Sequence, residues 1–438
     1  MALPRRHGRS AGAACALACV LAGLVLTSCG DDGPEPEGEA PLDLVIGSSV
    51  PLSGELSAYG PAGREAAALA AERIRLAARR SGAPHRVTVL TRDNATSPAT
   101  AVTTARELVE RGGASCLVGA WASTDTLAIA ESVSVPDKVL QISPASTAGE
   151  ITALDDDGLL MRTAPPDALE GLALEQAVSD ALGGAEGRVA NIGARDDNYG
   201  DDLAAAFSDP WVEAGGSVGE DVSYELETDP DGPVLPEAAE RITDGDPDAV
   251  VIADYPETFA ELAPELSATG SWRPARAWAT AALASPVLSE QLGEAAIEGM
   301  RGVTPATPRD GEASRAFGRL YRRSARGGVP RGRFDAHQFD ATILCYLAAV
   351  SAGSTEGEKM ADALIDLTSP EGAEYDWRRL PEAIAALQRG EDIDYTGASG
   401  PIDMDENGDP TAASFDVYRH TRGGVELIGQ VAVEPDRG

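Results

Sequence analysis

The chain has 438 residues and a formal net charge of -36, with 71 acidic residues against 35 lysines and arginines. So negative a surface repels nucleic acid and anionic lipid headgroups, which excludes both as partners of the folded part. A chain of this length is also too long for one small core, so we expect two lobes or domains.

Residues 1–28 are predicted to be a signal peptide rather than part of the fold. Three arginines within the first nine residues form a positive n-region, and an apolar run over 11–26 follows. The run ends in LTSC, which resembles a bacterial lipobox and implies cleavage before Cys29 and lipid attached to that cysteine. Residues 29–41 then form a flexible acidic tether, because a segment rich in glycine, proline and acid has nothing to bury.

From residue 42 the sequence alternates between short apolar strands and alanine-rich helices. Strands are predicted at 42–50, 85–91, 115–120 and 138–142, with helices opening at Pro61, Pro98 and Ser123. The first helix places five apolar residues on one face: Ala66, Leu69, Ala70, Ile74 and Ala77. This alternation predicts a parallel sheet covered by helices on both faces.

A second series of the same kind begins with the strand RVANIGA at 188–194 and continues to the apolar DAVVIAD at 248–254. A buried helix is predicted at 340–353 and a terminal hairpin at 400–420, with its turn at Asn407-Gly408. Cys116 and Cys345 are the cysteines left once the signal is removed and Cys29 carries lipid, and we expect no disulfide scaffold.

Hydroxyl, tyrosine and acid groups follow five of the predicted strands. They stand in PLSGELSAYG (51–60), GAWASTDT (119–126), QISPASTAGEIT (141–152), RDDNYGDD (195–202) and ADYPE (253–257). In open sheets ligands bind beyond the carboxyl ends of the strands, near helix N-termini. Each segment alone also fits a plain helix cap or turn, so their recurrence at five strand ends is the signal.

In this order and spacing, the five segments resemble the leucine/isoleucine/valine-binding protein family, the type I periplasmic binding proteins of ABC importers. The resemblance covers 42–436 and implies two Rossmann-like α/β lobes with parallel central sheets, joined by a three-crossover hinge into a clamshell. The chain would cross near 163, 304 and 397. Lobe 1 would then comprise 42–163 and 305–396, and lobe 2 would comprise 164–304 and 397–436.

Position by position, the resemblance implies a ligand site at the strand ends. Ser123 and Thr147 would offer hydroxyls to a ligand carboxylate, and Ala145 would add a backbone donor. Ser146 is predicted to belong to the same ligand-binding set. Such groups at a helix N-terminus favour an anion whatever the family. The remaining lining residues would be Tyr59 and Trp121 from lobe 1 and Tyr199 and Tyr255 from lobe 2. Trp121 fits core packing equally well.

The sequence departs from the family at the acidic partner for a ligand ammonium. That partner would fall near Ala281 in AWATAALAS, where no carboxylate stands. A desolvated ammonium without a partner costs about 3–5 kcal/mol. Either Asp254 or Asp196 substitutes, or the ligand is not an α-amino acid.

The resemblance implies a lipid-anchored, extracytoplasmic and monomeric solute-binding protein, without cofactor or metal, that serves an ABC permease and ATPase. Its ligand would be a small carboxylate-bearing compound, with branched-chain or apolar amino acids first and amides or aromatic acids as alternatives. A sensor or adaptor ectodomain would have the same site. An enzyme is disfavoured, because the sequence shows no nucleophile elbow, HExxH, P-loop or strand-linked GxGxxG motif.

Overall fold

Two sheets built on parallel strands organise the chain. The computed structural model describes residues 41–225, 234–285, 288, 291–292, 294–306, 311–324 and 328–433, so Cys29, the signal peptide and nearly all of the tether lie outside it. Within these ranges no helix is both long enough and apolar enough to cross a membrane.

The first sheet has five parallel strands in the order β2-β1-β3-β4-β5. Their bounds are β1 Asp43–Val50, β2 Arg86–Asp93, β3 Cys116–Val118, β4 Leu140–Ser143 and β5 Leu160–Arg162. The four predicted strands are therefore confirmed to within a few residues, and β5 is an addition.

Helices connect these strands and cover the sheet. They are α1 Gly60–Ser81, α2 Pro98–Arg106, α3 Ser123–Ile129 and α4 Gly149–Ala153; π-helical turns at Glu107–Arg111 and Ala130–Ser134 extend α2 and α3. The five predicted apolar positions of α1 are all buried. Burial of a leucine or isoleucine side chain there stabilises the fold by about 1.5–3 kcal/mol, which fixes α1 on the sheet.

The second sheet has seven strands in the order β14-β13-β10-β9-β8-β6-β7. The strands from β6 to β10 are parallel, whereas β13 pairs antiparallel with both β10 and β14. Its strands are β6 Val189–Arg195, β7 Ser217–Tyr224, β8 Ala249–Ala253, β9 Ala277–Ala279, β10 Arg301–Pro305, β13 Ala413–Thr421 and β14 Gly424–Val433. The accompanying helices are α5 Asp167–Leu182, α6 Asn198–Glu213, α7 Val234–Ile242, α8 Pro256–Ala268 and α9 Glu294–Ile297. Short 3-10 turns lie at Pro274–Arg276 and Ala281–Leu283.

After β10 the chain returns to the core of the first sheet. The elements of this part are α10 Glu312–Ser324, α11 Asp335–Ala352, α12 Gly357–Asp366, β11 Ala373–Asp376, a 3-10 turn Trp377–Arg379, α13 Leu380–Gln388 and β12 Ile393–Thr396. The buried face of α11 shares one apolar cluster with β1, β3 and α1. The predicted buried helix is therefore confirmed, as is the α/β fold class with parallel central sheets.

The expectation of no disulfide is wrong. Cys116 on β3 and Cys345 on α11 are both fully buried and form a disulfide, with their Cα atoms 6.1 Å apart. They are 229 residues apart in sequence, and only the packing of α11 on β3 brings them together. The bond joins the first sheet to the segment that returns to it.

The C-terminal hairpin lies later than predicted. The segment around Asn407 makes a tight turn closed by a bridge between Met404 and Pro410, whereas the long hairpin is formed by β13 and β14. Ile402 and Met404 still pack in the apolar cluster of the first sheet. The chain then joins the second sheet at β13.

Candidate functional site

The loop after β4 folds back over the N-terminus of α3 and forms a small polar cradle. Ser123 Oγ accepts hydrogen bonds from the backbone N–H of Thr147 and Ala148, at 3.4 and 3.3 Å. Its own proton remains available to a ligand. Thr147 is 2% exposed, and its Oγ1 has no hydrogen-bond partner in the described part of the chain. Both residues line a pocket, so the hydroxyls predicted to meet a carboxylate do lie together.

Ser146 and Ala145 have different roles in this loop. The Ser146 hydroxyl is 2.7 Å from Thr126 Oγ1 and donates to the backbone oxygen of Trp121 at 3.1 Å. Ser146 therefore holds the loop in place and is not among the residues that line the pocket. Ala145 does line it, and its N–H lies 3.5 Å from Ser143 Oγ.

Aromatic rings wall the pocket on the side of the first sheet. Trp121 is 3% exposed, donates its indole N–H to Gln338 Oε1 at 2.9 Å and meets Phe334 edge to face at 6.3 Å. Its polar atom is therefore satisfied, and it offers the ligand apolar surface. The Tyr59 hydroxyl donates to the backbone oxygen of Ala282 at 2.6 Å, which is a contact between the two halves of the site.

Two stacked tyrosines close the pocket from the second sheet. The rings of Tyr199 and Tyr255 are 4.9 Å apart, and the guanidinium of Arg195 lies 4.0 Å from the centre of the Tyr255 ring. The Tyr199 hydroxyl is hydrogen-bonded to Thr280 Oγ1 at 2.7 Å. Both tyrosines are almost fully buried. Their positions match the prediction that they face the cradle from the second half of the chain.

Asp254 and Asp196 do not border the pocket. Asp254 is fully buried, accepts hydrogen bonds from the Tyr224 hydroxyl at 2.8 Å and from the Tyr255 N–H at 2.7 Å, and lies 3.8 Å from Arg195. Its charge is thus already matched inside the second half. Asp196 is exposed and lies apart from the pocket lining. Neither of the two carboxylates proposed from sequence is placed to receive a ligand ammonium.

A carboxylate that sequence reasoning missed does border the pocket. Glu170, in the first turn of α5, is fully buried, and its Oε1 accepts the backbone N–H of Ala281 at 2.6 Å. Its Oε2 has no partner among the described residues, and neither does either oxygen of the buried Asp167 one turn earlier. Burial raises the pKa of Glu170 to about 7, and burial followed by the charge of Glu170 raises the pKa of Asp167 well above its usual value. The position near Ala281 therefore has an acid supplied from another helix.

Contacts across the pocket show that the two halves are closed on each other. The Glu55 carboxylate pairs with Arg195 at 2.9 Å, and the Gly149 N–H donates to Asp202 at 2.6 Å. About 30 Å³ of space remains in the pocket, enough for one or two water molecules. Among the described residues, no group of three His, Cys, Asp or Glu side chains could hold a metal ion.

The fold is that of the type I periplasmic binding proteins. The family model for periplasmic binding proteins matches residues 43–423, so the chain belongs to that family. The resemblance to the leucine/isoleucine/valine-binding proteins is likewise confirmed.

Individual relatives agree with this assignment. The chemotactic signal transduction system substrate-binding protein BasB of Halobacterium salinarum is 27% identical over 390 residues, which are 87% of this chain and 88% of that protein. The leucine-binding protein LivK of Thermotoga maritima has the same fold, with a TM-score of 0.69, 23% identity and coverage of 90% of this chain and 99% of its own. A solute-binding protein of an ABC transporter from R. palustris, in complex with benzoate, has a TM-score of 0.67 at 18% identity over 90% of this chain and 98% of its own.

Proposed function

We propose that the protein captures a small α-amino acid, with branched-chain or other apolar amino acids as first choice, and delivers it to an ABC importer. The observation that carries this proposal is the pairing of two opposite polar ends in one pocket. Hydroxyls at Ser123 and Thr147 form one end, and the unpartnered Glu170 oxygen forms the other. An α-amino acid carries a carboxylate and an ammonium on one carbon and complements both ends.

The carboxylate end of the ligand would lie in the cradle. Thr147 Oγ1, which lies close to the buried Asp167 carboxyl, and the proton of Ser123 Oγ are the donors there, and the N-terminus of α3 adds a favourable dipole. Hydrogen bonds to a charged group contribute about 1.5–3 kcal/mol each. Two of them suffice to fix the orientation of the ligand.

The ammonium end would lie against Glu170. Burial disfavours the ionised carboxylate and raises the pKa of Glu170 to about 7, although the N–H of Ala281 and the charge of Arg333 act in the opposite direction. A ligand ammonium would restore the ionised form and use Oε2, while Oε1 keeps its bond to Ala281. This arrangement removes the objection that the sequence near Ala281 holds no acid.

Apart from Arg333, the lining between the two ends is apolar or aromatic. It is formed by Leu56, Trp121, Ala282 and Phe334, and the indole N–H of Trp121 is already bonded. A charged or hydroxylated group at this point would lose hydration without a hydrogen bond in return. The lining thus favours an aliphatic or aromatic side chain.

Capture would proceed by closure of the lobes. We propose that the parts built on the first and second sheets act as the two lobes and part along the pocket to admit ligand. Closure of the free protein costs little free energy, because contacts such as Glu55–Arg195 form between the lobes without ligand. The ligand favours the closed state because it binds that state more tightly than the open one. We also propose that the protein acts as a monomer outside the cytoplasmic membrane, anchored by lipid on Cys29.

A thermal-shift screen of the purified protein against amino acids, their amides, aliphatic acids and aromatic acids tests the proposal. A ligand at 100 times its dissociation constant should stabilise the protein by about 2.7 kcal/mol. Apolar α-amino acids should give the largest shifts. Stabilisation confined to benzoate-like acids would instead indicate that the protein does not recognise an amine on its ligand and that Glu170 is protonated in the complex.

A second candidate function is ligand sensing without transport. It is favoured by the relative named for a chemotactic signal transduction system. The pocket would be the same, so the two functions differ in the partner of the closed form. Pull-down with the ligand-loaded protein should recover permease subunits for transport and a transmembrane receptor for sensing.

A further inference from the structure

We propose that a second cavity, next to the amino-acid pocket, binds an oxyanion. The cavity measures about 780 Å³ and lies between α10, the segment 330–337 and the edge of the second sheet at β10, β13 and β14. Three residues line both spaces: Tyr59, Arg333 and Phe334. We refer to it below as the arginine cavity.

Positive charge is concentrated on its walls. α10 contributes Arg315, Arg319 and Arg322, whose spacing of four and three residues places them on one helix face. The segment 330–337 adds two more arginines, Arg331 and Arg333. Two carboxylates also line the cavity, Asp335 and Asp416.

These two aspartates offset only part of the charge. Asp335 accepts from Arg331, with Oδ1 2.7 Å from the Nη2 atom, and Asp416 accepts from Gln430 at 3.5 Å. Arginines thus outnumber aspartates on these walls by five to two, and one of the five, Arg315, has a partner of its own. The chain has a net charge of -36, so most of its surface repels anions. The arginine-rich cavity differs from the rest of this surface because it attracts them.

Buried polar atoms on the same walls lack partners. Thr304 is 5% exposed and His337 is 7% exposed, and neither Thr304 Oγ1 nor His337 Nδ1 has a hydrogen-bond partner within the described ranges. The same holds for Nε of Arg333. Burial and then the nearby charges of Arg331 and Arg333 lower the pKa of His337 to about 4, so its imidazole is neutral at pH 7 and carries one N–H. Such unpartnered groups are uncommon in folded proteins unless a ligand or water meets them.

Together these groups suit a carboxylate or phosphate. Guanidinium groups bind such oxyanions in a two-pronged geometry, and a hydroxyl and an imidazole N–H supply further donors. The oxyanion could be the far end of a long amino acid whose α-end occupies the pocket, which rests on the proposed function, or a separate small anion. The chemistry of the cavity is the same for both sources.

Three variants of the purified protein test the site. Thr304→Val keeps the side-chain shape but removes the hydroxyl, and Arg319→Gln with Arg322→Gln removes two exposed charges from α10. Arg323→Gln is the matched control, because Arg323 is exposed on the same helix but is not among the residues that line the cavity. Calorimetry with inorganic phosphate, L-norleucine, L-glutamate, L-2-aminoadipate and L-2-aminopimelate provides the readout.

Phosphate should bind the wild type and the Arg323→Gln control alike. Its affinity should fall about 10-fold in Thr304→Val, since a hydrogen bond to a charged group is lost, and further in the double arginine variant. Thr304→Val should also leave the melting temperature of the free protein equal or higher, because the hydroxyl it removes is unpartnered. Norleucine affinity should be the same in all four proteins.

The diacids identify the source of the oxyanion. If one of them binds at least 10-fold more tightly than norleucine and loses that advantage in the variants, the site holds the far end of the ligand. If only phosphate depends on the variants, the site holds a separate anion. Absence of binding by phosphate and by every diacid, or binding that the variants leave unchanged, would overturn the proposal. Failure of norleucine alone would count against the amino-acid pocket instead.

Discussion

Glu170→Gln is the substitution that probes the ammonium end of the pocket most sharply. Glutamine is nearly isosteric, and its amide oxygen can still accept the N–H of Ala281 that Glu170 accepts at 2.6 Å. The local fold should therefore persist. What is lost is the negative charge on Oε2, the oxygen that has no protein partner in the described structure.

The expected loss of affinity is large. Removal of one partner from a buried ion pair costs about 3–5 kcal/mol, which corresponds to about a 150- to 4000-fold rise in the dissociation constant. Isothermal titration at pH 8 with L-leucine, or with the best amino acid from the screen, measures it. The des-amino analogue 4-methylpentanoate is the control, and it should bind the variant as well as or better than the wild type.

The pH dependence of the wild type follows from the same carboxylate. Burial raises the pKa of Glu170 to about 7, so the free protein takes up a proton there as the pH falls below that value. Only the ionised form pairs with an ammonium. Amino-acid affinity should therefore level off near pH 8, where the ligand amine is still protonated, and fall by up to about 10-fold per pH unit below pH 7. Glu170→Gln should abolish this dependence. If the variant binds leucine as the wild type does, the role given to Glu170 is refuted.

Three further predictions concern other parts of the molecule. Thr147→Ala should weaken amino-acid binding about 10- to 100-fold with little change in melting temperature. Ser123→Ala should lower both the affinity and the melting temperature, because Ser123 Oγ also holds the loop after β4. Unchanged affinity in Thr147→Ala would show that the cradle is only a turn and does not bind the carboxylate. Cys29→Ser should release the protein from the membrane fraction on cell fractionation, and retention of an unprocessed membrane-bound form would contradict lipid anchoring. Replacement of Cys116 and Cys345 by alanine should lower the free energy of unfolding, measured by chemical denaturation, by about 2–5 kcal/mol. Amino-acid affinity should stay within about twofold of the wild type. A loss of affinity at unchanged stability would contradict a structural role for the disulfide.

Periodicity predicted much of the fold. The alternation of short apolar strands with helices located four strands of the first sheet and the buried face of α1, because strand and helix patterns depend on residues close in sequence. The same reasoning placed Ser123, Thr147, Tyr199 and Tyr255 at strand ends, where parallel sheets gather their ligands. The structure brings these four residues to one pocket.

The features that sequence missed depend on distant contacts. Glu170 is one of 71 acidic residues, and no local pattern distinguishes it from a solvent-facing glutamate; only the packing of α5 against the turn at Ala281 buries it. Cys116 and Cys345 are likewise joined by the return of α11 to the first sheet. Asp254 was a reasonable choice from its place after β8, but the Tyr224 hydroxyl at the end of β7 and Arg195 at the end of β6 already pair with it.

The most direct test of the central claim is a crystal structure of the protein with the amino acid that stabilises it most. We expect the ligand carboxylate to lie within about 3 Å of Thr147 Oγ1 and Ser123 Oγ, and the ammonium to lie within about 3 Å of Glu170 Oε2. Its side chain should lie against Trp121 and Phe334. A ligand bound in the reverse orientation, or bound with its amine away from Glu170, would contradict the proposed amino-acid site.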